Sequence, residues 1–177
     1  GVLYVLNRGT PTQRNTHVTI CTVDGEYRTD FGSYGAGDGQ FIWPTGIAVD
    51  REGCVYISSE SENRIQKFSP TGQFLSKWGT PGGDDGELDG PASMVFDHDE
   101  NLYVVDHLNS RVQKFTKEGK FLLKWGTKGE DDGQFNLPWG IGLDSAGNVY
   151  VADWRNDRVQ KFTSDGKFLA GDNLAKA

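Results

Sequence analysis

GQFNLPWGIGLDSAGNVYVADWRNDRVQKFTSDGKFL, residues 133–169, is the stretch whose reading decides the fold, because the chain repeats it. Moving 47 residues upstream superposes Pro138 on Pro91 and Pro44, Asp144 on Asp97 and Asp50, and Tyr150 on Tyr103 and Tyr56. The same shift carries Arg158 onto Arg111 and Arg64, Phe162 onto Phe115 and Phe68, and Gly166 onto Gly119 and Gly72. Trp125-Gly126 falls on Trp78-Gly79, and no gap is needed across the three units. A fainter copy lies upstream, with Phe31-Gly32 at the tryptophan-glycine position. It aligns only if residues 7–17, polar and carrying Gly9 and Pro11, form a loop lengthened by about five residues.

Each unit reads as four short strands. In the first full unit they fall near residues 45–50, 54–58, 64–68 and 73–78, separated by turns rich in Gly, Asp, Asn and Pro. Gly or Pro interrupts every stretch long enough for three helical turns, so a helical reading fails. Ile65 and Phe68 are an odd number of residues apart and face opposite sides of a regular strand. A sheet apolar on both faces has a neighbour on each side. Four strands in a period of 40–50 residues is the spacing of a β-propeller blade. The expected fold is all-β, built of four-stranded antiparallel propeller blades. The blades divide as a partial unit over 1–36 and full units over 37–83, 84–130 and 131–177.

Composition agrees. The 177 residues include 24 glycines and 12% aromatics, which suits short strands and tight turns. Mean hydropathy is −0.56, and no apolar run approaches the ~20 residues of a membrane helix. The first residues lack a secretory pattern. A net charge of −7 argues against a phosphate-binding surface, so no nucleic-acid or membrane partner is expected. Cys21 and Cys54 fall on different units, too few and too far apart for a disulfide framework. Nothing in the sequence assigns a compartment.

Residues 133–169 resemble the NHL repeat, and the units beginning at Gly39 and Gly86 resemble it nearly as well. The resemblance implies an NHL propeller, commonly closed by six blades, which would need roughly 280 residues at this period. Against that expectation the chain supplies about 3.75 units and leaves the ring incomplete; a partial ring exposes two apolar blade faces and free strand edges, so the expected partners are other copies of the chain. A fragment of a longer protein, an engineered piece with no selected ligand and a small self-closed ring are the other readings.

In such a ring, function sits where the inner strands begin and the second-to-third-strand loops converge. Positions that differ between units there are the candidates for binding a protein or peptide: Trp43, Thr45, Glu60, His107, Trp139, Trp154 and Arg155. Exposed Trp and Arg commonly anchor interfaces. No catalytic residue, metal ligand or cofactor is expected. The alternative is a metal-dependent lyase or hydrolase resembling the peptidyl-hydroxyglycine lyase, in which zinc-binding histidines follow the proline that opens an inner strand. Here those positions hold Thr45, Ala92 and Trp139, and the three histidines, His17, His98 and His107, are scattered. The recurring Asp106–Arg111 and Asp153–Arg158 spacings read as ion pairs pinning loops. Trp78 and Trp125 read as packing between blades. Lys67, Lys114 and Lys161 read as repeat features rather than an RNA-binding surface, and the Asp-Gly loops near 38, 85 and 132 as turns rather than calcium sites.

Overall fold

The computed structural model describes residues 1–10 and 14–173. The first sheet holds β1 (Val2–Asn7), β2 (His17–Thr22) and β3 (Tyr27–Phe31). A short parallel pair, β4 (Ser33–Tyr34) and β5 (Gln40–Phe41), leads into the second sheet. That sheet is β6 (Pro44–Val49), β7 (Val55–Ser59), β8 (Arg64–Phe68) and β9 (Phe74–Trp78). The third holds β10 (Pro91–Phe96), β11 (Asn101–Asp106), β12 (Arg111–Thr116) and β13 (Phe121–Trp125). The fourth holds β14 (Pro138–Leu143), β15 (Val149–Asp153), β16 (Arg158–Phe162) and β17 (Phe168–Asn173). Strands pair antiparallel in chain order within each of the four sheets. The first strands of successive full sheets, β6, β10 and β14, run side by side. Among the described residues, no helix is long and apolar enough to cross a membrane.

The expected strands fall within about a residue of the observed ones, because turn chemistry marks their ends. Asp50 Oδ1 accepts the amides of Glu52 (3.0 Å) and Cys54 (2.8 Å), closing the turn between first and second strands. Asp97 and Asp144 close the corresponding turns with the same pair of amide bonds. Asp50, Glu52 and Cys54 form a compact acidic and thiol cluster, and this capping accounts for Asp50's place in it.

The sheets stack face to face, and their core is divided among the joints. Phe68 packs with Phe31, Phe41, Val18 and Ile57 toward the first sheet. Ile65, from the same strand, packs with Leu88, Met94, Leu102 and Phe115 toward the third. The opposite-face reading of these two residues therefore holds. A third cluster joins Tyr103, Val112 and Phe135 to Val151 and Phe162 of the fourth sheet. Trp78 and Trp125 close two joints as expected. The Trp78 ring lies 4.6 Å from that of Phe115. A Cβ at Gly119 would lie 2.4 Å from the Trp78 ring, and the glycine has a φ of +87°, so only glycine fits that turn.

At the end carrying the first-to-second-strand turns, each full unit places a Lys beside an Asp and over a Tyr. Lys114 lies 2.8 Å from Asp97 and 4.7 Å from the Tyr103 ring centre; Lys161 with Asp144 and Lys67 with Asp50 repeat the arrangement. The three lysines thus serve the blades. Burial alone would raise the Asp97 carboxyl, but donors from Lys114 and Asn101 outweigh it and hold it below its ordinary range. Donors led by the Asn148 side chain hold Asp144 lower still. A carboxyl depressed on folding stabilises the protein above its unfolded pKa of ~4, and that contribution is lost as pH falls through the folded value. Urea midpoints are therefore expected to drop below pH ~4, and Asp97→Asn is expected to flatten that drop. An unchanged acid limb in the variant would sink the assignment.

Candidate functional site

The end carrying the second-to-third-strand loops gathers the candidate residues into two clusters. In the second and fourth sheets the loop is a 3-10 turn, Glu60–Glu62 or Trp154–Asn156. It ends in a left-handed residue, Asn63 (φ 51°) or Asp157 (φ 48°), and Ser110 takes the same conformation in the third sheet. The residue before each first strand is also left-handed: Trp43 (φ 52°), Gly90 (φ 62°) and Leu137 (φ 51°). The Trp43 backbone is thus a feature of every joint, fixed in part by its carbonyl accepting the Glu60 amide at 3.0 Å.

One cluster spans the third and fourth sheets. His107 is only 5% exposed and donates from Nδ1 to the Pro138 carbonyl at 3.0 Å. Its ring meets Trp139 edge-on at 4.9 Å, and Trp139 meets Trp154 at 6.5 Å. Trp154 is 53% exposed, with the Arg155 guanidinium 4.5 Å over its ring. His107 therefore supports this aromatic row from beneath, and Trp154 with Arg155 presents it to solvent.

The other cluster gathers Trp43 and Glu60 around a residue that sequence reasoning passed over. Arg8, in the lengthened first-unit loop, stacks on Trp43 at 4.9 Å and pairs with Glu60 at 3.1 Å. Arg14 stacks on Tyr34 at 4.8 Å, and a recess of about 150 Å³ lies among these side chains. The length of that loop is the one sequence signal that could have pointed to Arg8 and Arg14. Thr45 belongs to neither cluster: its hydroxyl donates to the Pro91 carbonyl at 2.7 Å, inside a joint between sheets.

Among the described residues, the histidines that the metal-lyase alternative would need lie apart. Thr45, Ala92 and Trp139 offer no imidazole. His98 lies in the turn before β11, at the opposite end of that strand from His107. Asp38 and Asp85 of the acidic loops pair with Lys77 and Lys124, each at 2.5 Å. Cys21 and Cys54 are both free.

Antiparallel four-stranded sheets stacked face to face, with their first strands side by side, define a β-propeller. Across 97% of its length the chain superposes on a streptogramin B lyase (TM-score 0.69, 16% identity). It likewise superposes across 97% of its length on a gluconolactonase from Xanthomonas campestris (TM-score 0.67, 19% identity). It spans 53% and 58% of those chains, and at such identities the likeness is one of fold. Residues 135–162 match the NHL repeat family, and the other units carry similar residues at a 47-residue spacing. The chain thus carries an NHL repeat within a β-propeller fold. It is 48% identical over 42 residues to the E3 ubiquitin-protein ligase TRIM71 of Rattus norvegicus, a match covering 24% of this chain and 5% of the relative.

Proposed function

We propose that the protein is a non-enzymatic propeller scaffold that joins further copies of itself and presents its loop end to a protein or peptide. The observation that carries this reading is the contrast between repeat-equivalent positions at filled and open joints. Tyr103, Val105 and Val112 are fully buried against the fourth sheet, whereas Tyr150, Ala152 and Val159 at the same positions of that sheet are only partly covered. At the other end of the arc, Leu3 and Val5 are 46% and 45% exposed where Val55 and Ile57 are fully buried. The two open faces are the two halves of an interior joint, so the first sheet of one copy fits the fourth sheet of another head to tail. The blades would be those set out from the repeat, 1–36, 37–83, 84–130 and 131–177. The exposed Trp154–Arg155 pair is the strongest anchor for a ligand.

Light scattering across a dilution series is expected to give a multiple of 19.5 kDa, and Val5→Glu is expected to return single chains. A folded wild-type monomer at every concentration would overturn self-association. Peptides selected from a random display library on the wild-type protein are expected to lose most of their binding to Trp154→Ala. Full retention would remove this cluster from the binding reading.

A further inference from the structure

The turns that join first to second strands lie at the end of the molecule opposite the loop clusters, and one of them departs from the repeat. The third residue after the capping aspartate is Gly53 (φ 83°) in the second sheet, Glu100 (φ 62°) in the third and Gly147 (φ 81°) in the fourth. Left-handed backbone favours glycine, so a glutamate there needs a reason. Its carboxylate supplies one. Glu100 reaches back to the second sheet, where its two oxygens accept the Arg51 amide at 3.2 and 3.4 Å. One of them also lies 3.7 Å from the Arg51 guanidinium. A carboxylate thus sits between the turns of the second and third sheets, held by the residue that follows the capping aspartate Asp50.

The joint between the third and fourth sheets has the same geometry without the acid. His98 stands where Arg51 does, and Gly147, at the position of Glu100, has no side chain to send back to it. The His98 amide has no acceptor, and its exposed imidazole no partner, among the described residues. A Cβ on Gly147 would meet nothing within 4 Å, so there is room for what Glu100 does in the other joint. That room belongs to a recess of about 580 Å³ at the ends of the three first strands. Its wall is apolar, made by the repeat equivalents Val49, Phe96 and Leu143 with Val95 beside them. The aspartates that line it are each answered by a lysine of their own blade: Asp50 by Lys67, Asp97 by Lys114 and Asp144 by Lys161.

We infer that this recess binds a small-molecule carboxylate with a short aliphatic body. The carboxylate takes the place at His98 that Glu100 takes at Arg51, and the aliphatic body lies against Phe96 and Leu143. The Arg51–Glu100 contact is the chain's own example of that recognition: backbone amide and basic side chain of one residue meeting one carboxylate. With its aspartates already paired, the donors left to the recess are the His98 amide and imidazole, and these suit an anion. The volume falls within the roughly 300–1,000 Å³ of small-molecule pockets, which are mostly apolar with a few placed polar groups. The recess is formed by the second, third and fourth sheets of one chain, and it is separate from the loop end and from any contact between copies.

The probe is isocaproate, a carboxylate on a short branched aliphatic chain, titrated into the whole protein. It is expected to shift the His98 and Gly147 amide resonances saturably in nitrogen–proton NMR spectra. Isohexyl alcohol, which lacks the acid, and acetate, which lacks the body, are each expected to bind at least about tenfold more weakly. Gly147→Glu gives the fourth sheet its own Glu100, in a backbone conformation that Glu100 already adopts, and is expected to weaken isocaproate binding at least about tenfold. Glu100→Gly, which restores the glycine of the other units, is expected to add a second equivalent of bound acid that shifts the Arg51 amide; this variant decides the matter if Gly147→Glu does not fold. The peptide Gly-Gly-Leu separates the two sources of such a carboxylate, and tighter binding of the peptide than of isocaproate would overturn the small-molecule reading in favour of a chain end. Equal binding of acid and alcohol, binding that Gly147→Glu leaves intact, or Glu100→Gly without a second equivalent would overturn the carboxylate seat.

Discussion

Arg111→Ala is expected to cost about 3–5 kcal/mol of stability, the scale for stripping one partner from a buried ion pair. Asp106 is fully buried and Arg111 nearly so, with Nε 2.6 Å from Asp106 Oδ2. The guanidinium also donates to the carbonyls of Gly83 (2.6 Å), Asp84 (3.0 Å) and Glu87 (2.9 Å), tying the inter-sheet loop to β12. Asp106 Oδ1 in turn accepts the Asp89 amide at 2.7 Å. Removing the arginine takes the counter-charge from the buried carboxylate, which keeps Asn109 and Gln113 as donors, and strips the Gly83 and Asp84 carbonyls of this donor. At 2–4 °C per kcal/mol for a chain of this size, Tm should fall by roughly 6–20 °C. A loss below about 1 kcal/mol would place the pair among weak surface bridges instead. The fourth sheet repeats the arrangement with Arg158 and Asp153 at 2.9 Å. The second sheet has Ser59 at the aspartate position and recruits Glu62 instead: Glu62 accepts the Ile42 amide at 2.8 Å and pairs with Arg64. Glu62→Gln should therefore weaken the second sheet in the same sense, and less, because its pair sits nearer the solvent.

Gly46→Val and Gly140→Val are expected to part company although the two glycines are repeat equivalents. At Gly46 the new Cβ meets the backbone carbonyl of Ala92, which cannot turn aside, and overpacking of that kind costs about 1–3 kcal/mol. At Gly140 the same atom meets only the Cβ of Ala152, at 3.4 Å, so the isolated chain should keep its urea midpoint. The stability difference isolates what a neighbouring blade does to one position. Equal losses at both sites would mean that the fourth sheet is already covered.

The repeat was legible because blades stack by a common rule. A 47-residue shift without gaps, turn glycines and aspartates, and apolar groups on both faces of β8 define the strands, their order and the propeller class. The Asp–Arg pairs and the two packing tryptophans were legible for the same reason: they recur, and residues that recur serve every joint alike. The loop end was legible only in part. Trp43, Glu60, Trp139, Trp154 and Arg155 stand out because they break the repeat. Thr45 breaks it too, yet spends its hydroxyl inside a joint. His107 is almost covered by the inner strand it grips. Arg8 came to Trp43 and Glu60 across distances in sequence that no periodicity encodes.

What the sequence by itself determined is therefore the blade: its strands, its turns and the residues every blade shares, all set by local backbone chemistry and a short apolar period. What only the tertiary structure decided is which copies of that blade are covered. Tyr103 and Tyr150, or Gly46 and Gly140, are the same residue in the same local setting. They differ because one lies under a neighbouring sheet and the other does not, and burial depends on that neighbour rather than on the residue's own strand.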